Sequence, residues 1–214
     1  MQGNVDAVLN AFQFAVLVVF LLVFVGRTFY LLGVRRINPI VIGAGKKGIQ
    51  RIIELLFPIW LLLATIEITR SALSLEIQIL PALFYIQVLD WMPARITGVI
   101  AIGLSLFLFI AALIPFGDSW RVGIDERRPG ELITGGVFSW SRNPIFLFMD
   151  LYAIGTFLLN GTLVFLMMGL ALIGALHYQI LQEERFLRQR YGAAYETYSA
   201  RTARYFGRKQ APIP

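Results

Sequence analysis

The stretch PIFLFMDLYAIGTFLLNGTLVFLMMGLALIGALHYQIL, residues 144–181, decides the fold. It holds two apolar runs, Pro144 to Leu159 and Thr162 to Leu181, on either side of Asn160-Gly161. A helix that crosses a bilayer needs about 20 mostly apolar residues. Asn-Gly favours a tight turn. The stretch therefore reads as a helical hairpin set in lipid. Its second arm runs on as Gln182-Glu183-Glu184-Arg185-Phe186-Leu187-Arg188-Gln189-Arg190, a polar run of good helix formers that leaves the membrane.

Working outward, three earlier runs have the same character: Ala11 to about Gly33, about Ile49 to Ile68, and Ile96 to Phe116. The first does not read as a secretion signal. It lacks a basic leader, carries Asp6, and its apolar run is too long. Between the second and third, Leu73 to Trp91 is interrupted by Glu76, Gln78 and Pro81, and reads as an interfacial or re-entrant segment. Gly117 to Asn143 is the longest polar segment. The expectation is an all-α, polytopic membrane bundle of about five transmembrane helices with a C-terminal hairpin. Residues 1–116 form an N-terminal membrane part, and residues 117–214 a loop, the hairpin and a C-terminal helix.

Composition agrees with lipid as the solvent. Hydrophobic residues make up 57% of the 214 and charged residues 15%, against about 45–50% and about 25% in soluble domains. With no cysteine and one histidine, thiolate sites, disulfides and a multi-histidine metal centre are excluded within one chain, and no metal is expected. The net charge of +6 reads as topology and lipid contact, not as nucleic-acid binding. Arg27, Arg35, Arg36, Lys46, Lys47 and Arg51 cluster around the first loop, and Arg185, Arg188, Arg190, Arg201, Arg204, Arg208 and Lys209 in the tail. Basic loops stay in the cytoplasm. Five spans then place the N-terminus outside, and the Gly117–Asn143 loop and the C-terminus inside.

Gly43-Ala44-Gly45-Lys46-Lys47-Gly48 matches G-x-G-x-x-G in letters. That pattern works only between a strand and a helix, and here it lies between two spans, so it reads as a basic loop near headgroups. His177, near the cytoplasmic end of the last span, reads first as a hydrogen-bonded interfacial histidine. Glu54 and Glu67 are expected to snorkel from span ends. Asp150 is costlier: an acid inside a membrane faces the bundle or a water-filled cavity, and it shares a face with Asn143 two turns earlier. Gln179, Glu183 and Leu187 share another face. The hairpin brings that face back toward Ser141-Arg142-Asn143-Pro144. There Arg142 offers a planar fork for a carboxylate, Asn143 an N-cap, and Pro144 a first helical turn.

Four motifs follow in order: Leu132-Ile133-Thr134-Gly135-Gly136-Val137-Phe138; Arg142-Asn143-Pro144-Ile145-Phe146; Glu183-Glu184-Arg185-Phe186-Leu187; and Tyr191-Gly192-Ala193-Ala194-Tyr195-Glu196-Thr197-Tyr198. Over Trp120 to Tyr205 this resembles the isoprenylcysteine carboxyl methyltransferase and phospholipid methyltransferase superfamily, whose members use S-adenosyl-L-methionine. The resemblance implies a cytoplasmic cofactor pocket and methyl transfer to a lipophilic acceptor, a lipid amine, thiol or carboxylate. It carries cofactor contacts onto Gly123, Gly130, Glu131, Leu132, Ile133, Phe138, Arg142, Asn143, Pro144, Ile145, Phe146 and Glu183. It gives the catalytic roles to Arg142, Asn143 and Glu183. Gln179 falls where the isoprenylcysteine enzymes carry a substrate-contacting arginine, and with Asp150 it marks the acceptor's side.

The chain departs from the family pattern at Asn143, usually histidine, and at Phe138 and Phe146, usually tyrosine. Two rival readings follow. Sterol and steroid reductases share an R-H-P-x-Y membrane fold and use NADPH, with an acid soon after the corner as Asp150 is here. A non-catalytic protein of the same fold would explain the three departures.

Overall fold

The computed structural model describes residues 2–40, 48–116 and 131–208. Six α-helices occur in them: α1 (Gln2–Gly33), α2 (Gly48–Ala72), α3 (Met92–Phe116), α4 (Pro144–Asn160), α5 (Leu163–Tyr191) and α6 (Ala193–Arg201). No strand forms among the described residues; two isolated bridges join Gln87 to Thr162 and Thr202 to Arg208. Helices α1, α2, α3 and α5 are long and apolar enough to cross a membrane, and the apolar α4 is shorter, at 17 residues. The all-α membrane bundle read from the sequence is the fold observed.

The hairpin turn forms as Asn-Gly predicts. Gly161 sits at φ 65°, left-handed backbone that glycine adopts without strain. A Cβ there would overlap the Leu89 carbonyl oxygen. The close approach has a purpose: the Gly161 carbonyl accepts the N–H groups of Val88 and Leu89, and Leu163 N–H donates to Ile86 O at 3.0 Å. The 73–91 segment thus straps the turn and does not span. It holds one short 3-10 helix, Ala82–Tyr85, and leaves Leu75, Ile77, Leu83 and Trp91 exposed.

Contacts sort the helix ends into two sets. Asp6 pairs with Arg95, Asn160 donates to Gln13, and Ser71 donates to Asn160. The starts of α1, α3 and α5 therefore lie with the ends of α2 and α4. The opposite set gathers the end of α1, the start of α2, the start of α4 and the polar extension of α5. Helices α3 and α4 touch backbone to backbone through Gly98 and Gly155. A Cβ on either would lie 2.7–2.8 Å from the other's carbonyl oxygen, the close approach small residues allow in lipid. Phe20, Phe109 and Phe148 lock α1, α3 and α4 with ring centroids 4.8–5.1 Å apart.

Two expectations fail here. Glu54 and Glu67 do not snorkel; they are 6% and 0% exposed. Glu67 accepts from Arg70 Nε and the Tyr85 hydroxyl, each at 2.8 Å. Glu54 accepts from Gln50 and, at 2.9 Å, from Gln179 on α5. Hydrogen-bonded partners inside the bundle replace the water that snorkelling would reach.

Candidate functional site

The corner before α4 is made by the chain's own return. Pro144 opens the helix at its first turn, where its missing N–H costs nothing. Asn143 holds the N-cap position, but its side chain makes no cap. It donates instead to the Arg204 carbonyl at 3.1 Å and to Glu184 Oε1 at 3.4 Å. Arg142 spreads its fork across three strands of chain. Nε and Nη2 donate to Glu184 Oε1 at 3.1 and 2.7 Å. Nη1 donates to the carbonyls of Ser199 and Thr202. Arg204 Nη2 takes the second Glu184 oxygen at 2.8 Å. Charge-assisted bonds of this kind are the strong ones, and the Arg142 and Glu184 side chains are only 7% and 5% exposed.

The acid that meets Arg142 is thus Glu184, not a residue on the Gln179–Glu183–Leu187 face. One position along a helix turns the face by about 100°. On α5, Ile180 and Glu184 are buried one turn apart. Glu183 is half-buried on the neighbouring face, and Gln179 turns toward α2, where its Oε1 lies buried without a partner among the described residues.

The closing tyrosines explain their spacing. Tyr195 is fully buried, and the Tyr198 hydroxyl donates to the Phe138 carbonyl at 2.7 Å. They fasten α6 across the loop that carries the first motif. Burial first, then the Glu184 charge, pushes the Tyr195 hydroxyl up to about 12. The Glu184 hydrogen bond holds the Arg204 guanidinium above its usual value. The tail then folds back. Gly207 N–H donates to the Trp140 carbonyl, Phe206 stacks on Trp140 at 6.0 Å, and Arg208 lies over the same ring at 4.7 Å.

Of the residues expected at a cofactor site, Phe138, Arg142, Asn143 and Pro144 converge on this corner, with Ile145 and Phe146 following on the first turn of α4. Glu131 is exposed and Leu132 and Ile133 are half-buried on the approach. Gly123 and Gly130 lie outside the described residues, as do Gly43 to Lys47 of the glycine-rich loop. Sequence reasoning missed Arg204, Tyr205 and Glu184 as partners; the basic tail was the one visible signal. Asp150 is buried, 8% exposed, as an acid within a span must be. Beside α4, an apolar cleft opens among α1, α2, α4 and α5, walled by Phe57, Trp60, Phe148, Phe165 and Leu172.

This arrangement defines a class: a helical membrane protein whose last hairpin and tail close a polar corner. Residues 93–194 match the phospholipid methyltransferase family, bearing out the resemblance read from the motifs. The match covers α3 from residue 93, the turn at 142–144 and the hairpin, and ends before Tyr195 and Arg204. The similarity is to phospholipid methyltransferases and spans just under half of the chain. No curated protein matches the chain.

Proposed function

We propose that the chain is an integral membrane enzyme that moves a methyl group from S-adenosyl-L-methionine to a lipophilic acceptor. The observation that supports this best is the polar corner in which Arg142, Asn143 and Glu184, all inside the segment that matches the family, meet Arg204 of the tail. The donor set suits the cofactor. Among the described residues, Tyr195 Oη and Arg204 Nε are buried at the corner without hydrogen-bond partners, and the α4 N-terminus favours a carboxylate. Residues 131–133, Phe138, Asn143 to Phe146 and Glu183 would hold the cofactor, with Gly123 and Gly130 completing the site. When bound, the cofactor supplies a methyl already activated on a sulfonium.

The chain's part is then alignment and the exclusion of water. Arg142 keeps the corner shut by joining α4, α5 and the tail. The acceptor enters sideways near Phe146, Gln179 and Asp150. The buried charge on that route is negative and Gln179 is neutral, which favours an amine over a carboxylate. By the distribution of basic residues, the N-terminus faces outward and the corner faces the cytoplasm.

The test is calorimetry in detergent with S-adenosylhomocysteine and, separately, NADPH. Binding of the first and not the second is expected, with Glu183→Ala lowering the affinity at least tenfold. NADPH binding without S-adenosylhomocysteine binding would overturn the reading.

A further inference from the structure

The hairpin carries a second polar level that the corner does not use. Seven residues, about two turns, separate Asn143 from Asp150 on α4 and His177 from Glu184 on α5. Each pair shares a helix face. Antiparallel packing that sets Asn143 against Glu184 therefore sets Asp150 at the level of His177. The tail repeats the step: Arg204 reaches Glu184, and the next residue, Tyr205, reaches His177. Tyr205 Oη lies 2.5 Å from His177 Nδ1, and the rings stack 6.1 Å apart.

Asp150 differs from the other buried acids of the bundle. Glu54, Glu67 and Glu184 each accept hydrogen bonds from neighbouring side chains. The Asp150 Oδ1 is buried with no hydrogen-bond partner among the described residues. Such an atom in an apolar span is costly unless a ligand supplies the missing donor. Its charge is felt across the level: burial, then Asp150, push the Tyr205 hydroxyl above its ordinary value.

We infer that Asp150 seats the ammonium of the acceptor and takes its proton, while the His177–Tyr205 pair positions it and leads the proton out. The inference rests on the methyl-transfer reading and names the groups that make an amine reactive. An amine arrives as R–NH3+ and has no free lone pair. One proton passes to the Asp150 carboxylate, leaving R–NH2 and the neutral acid. The carboxylate is restored when that proton leaves through the exposed His177 imidazole to water.

His177 is the chain's one histidine, so an isotope-labelled imidazole reports on this level without ambiguity. In uncharged detergent at fixed pH, dodecylamine is expected to move the His177 ring resonances, and dodecanol, with the same chain and no charge, to leave them in place. Asp150→Asn should abolish the amine response, and Asp150→Glu should retain it. S-adenosylhomocysteine binding by the same samples checks that each variant is folded. An equal response to dodecanol, or an undiminished amine response in Asp150→Asn, overturns the inference. A wild-type amine response without S-adenosylhomocysteine binding would instead remove the methyl-transfer reading and leave the amine site standing.

Discussion

The two ends of the bundle each bury a glutamate against arginine, and they use it differently. At one end Glu67 is held by Arg70, three residues on, and by Tyr85 from the strap. Arg70 also lies over the Tyr85 ring at 4.5 Å. This knot is local, and it fixes a loop. At the other end Glu184 gathers Arg142 from 42 residues before it and Arg204 from 20 after it. Around it, Tyr195 Oη and Arg204 Nε remain without partners among the described residues. The first knot is closed and structural; the second keeps open valences, which is what a binding site requires.

Three substitutions test that contrast. The largest effect is expected from Arg142→Ala, which takes two charged donors from the buried Glu184 and leaves it to Arg204 and Asn143. Removing one partner of a buried pair costs up to about 3–5 kcal/mol, so thermal unfolding in detergent should drop steeply and S-adenosylhomocysteine binding should vanish. A loss no greater than at the other end would erase the distinction. Glu67→Gln comes next. It weakens bonds to a charged partner, at about 1–3 kcal/mol, and should lower the unfolding temperature while leaving S-adenosylhomocysteine affinity unchanged. A fall in that affinity would show the ends to be coupled. Arg188→Ala sharpens the scale from below. Arg188 and Glu196 meet in an ion pair with both side chains about half exposed, where such pairs contribute about 0.2–1 kcal/mol. Unfolding should shift barely, if at all.

The sequence made the hairpin legible because Asn160-Gly161 is a local signal and the apolar runs beside it are long. Pro144 marked the start of α4 for the same reason. The identity of the acid at the corner was not legible. Glu183 and Glu184 are adjacent, and the rotation of α5 that selects one of them is set by packing against α4, not by spacing within α5. Glu54 misled for a related reason: its partner Gln179 lies 125 residues away, and no local pattern announces it. The tail was read as basic and cytoplasmic because its charge count says so. Its docking depends on carbonyls of Ser199, Thr202 and Arg204 presented to Arg142 and Asn143, and backbone groups leave no mark in composition.

The strap over Gly161 bears on any attempt to work with the hairpin by itself. A fragment cut at residue 93, where the family match begins, would discard residues 86–89 and keep the turn they cover. The Gly161 carbonyl would lose both its donors and Leu163 N–H its acceptor. Excision at that point should yield a fragment prone to aggregate, whereas one beginning before residue 73 would carry its own lid for the bend.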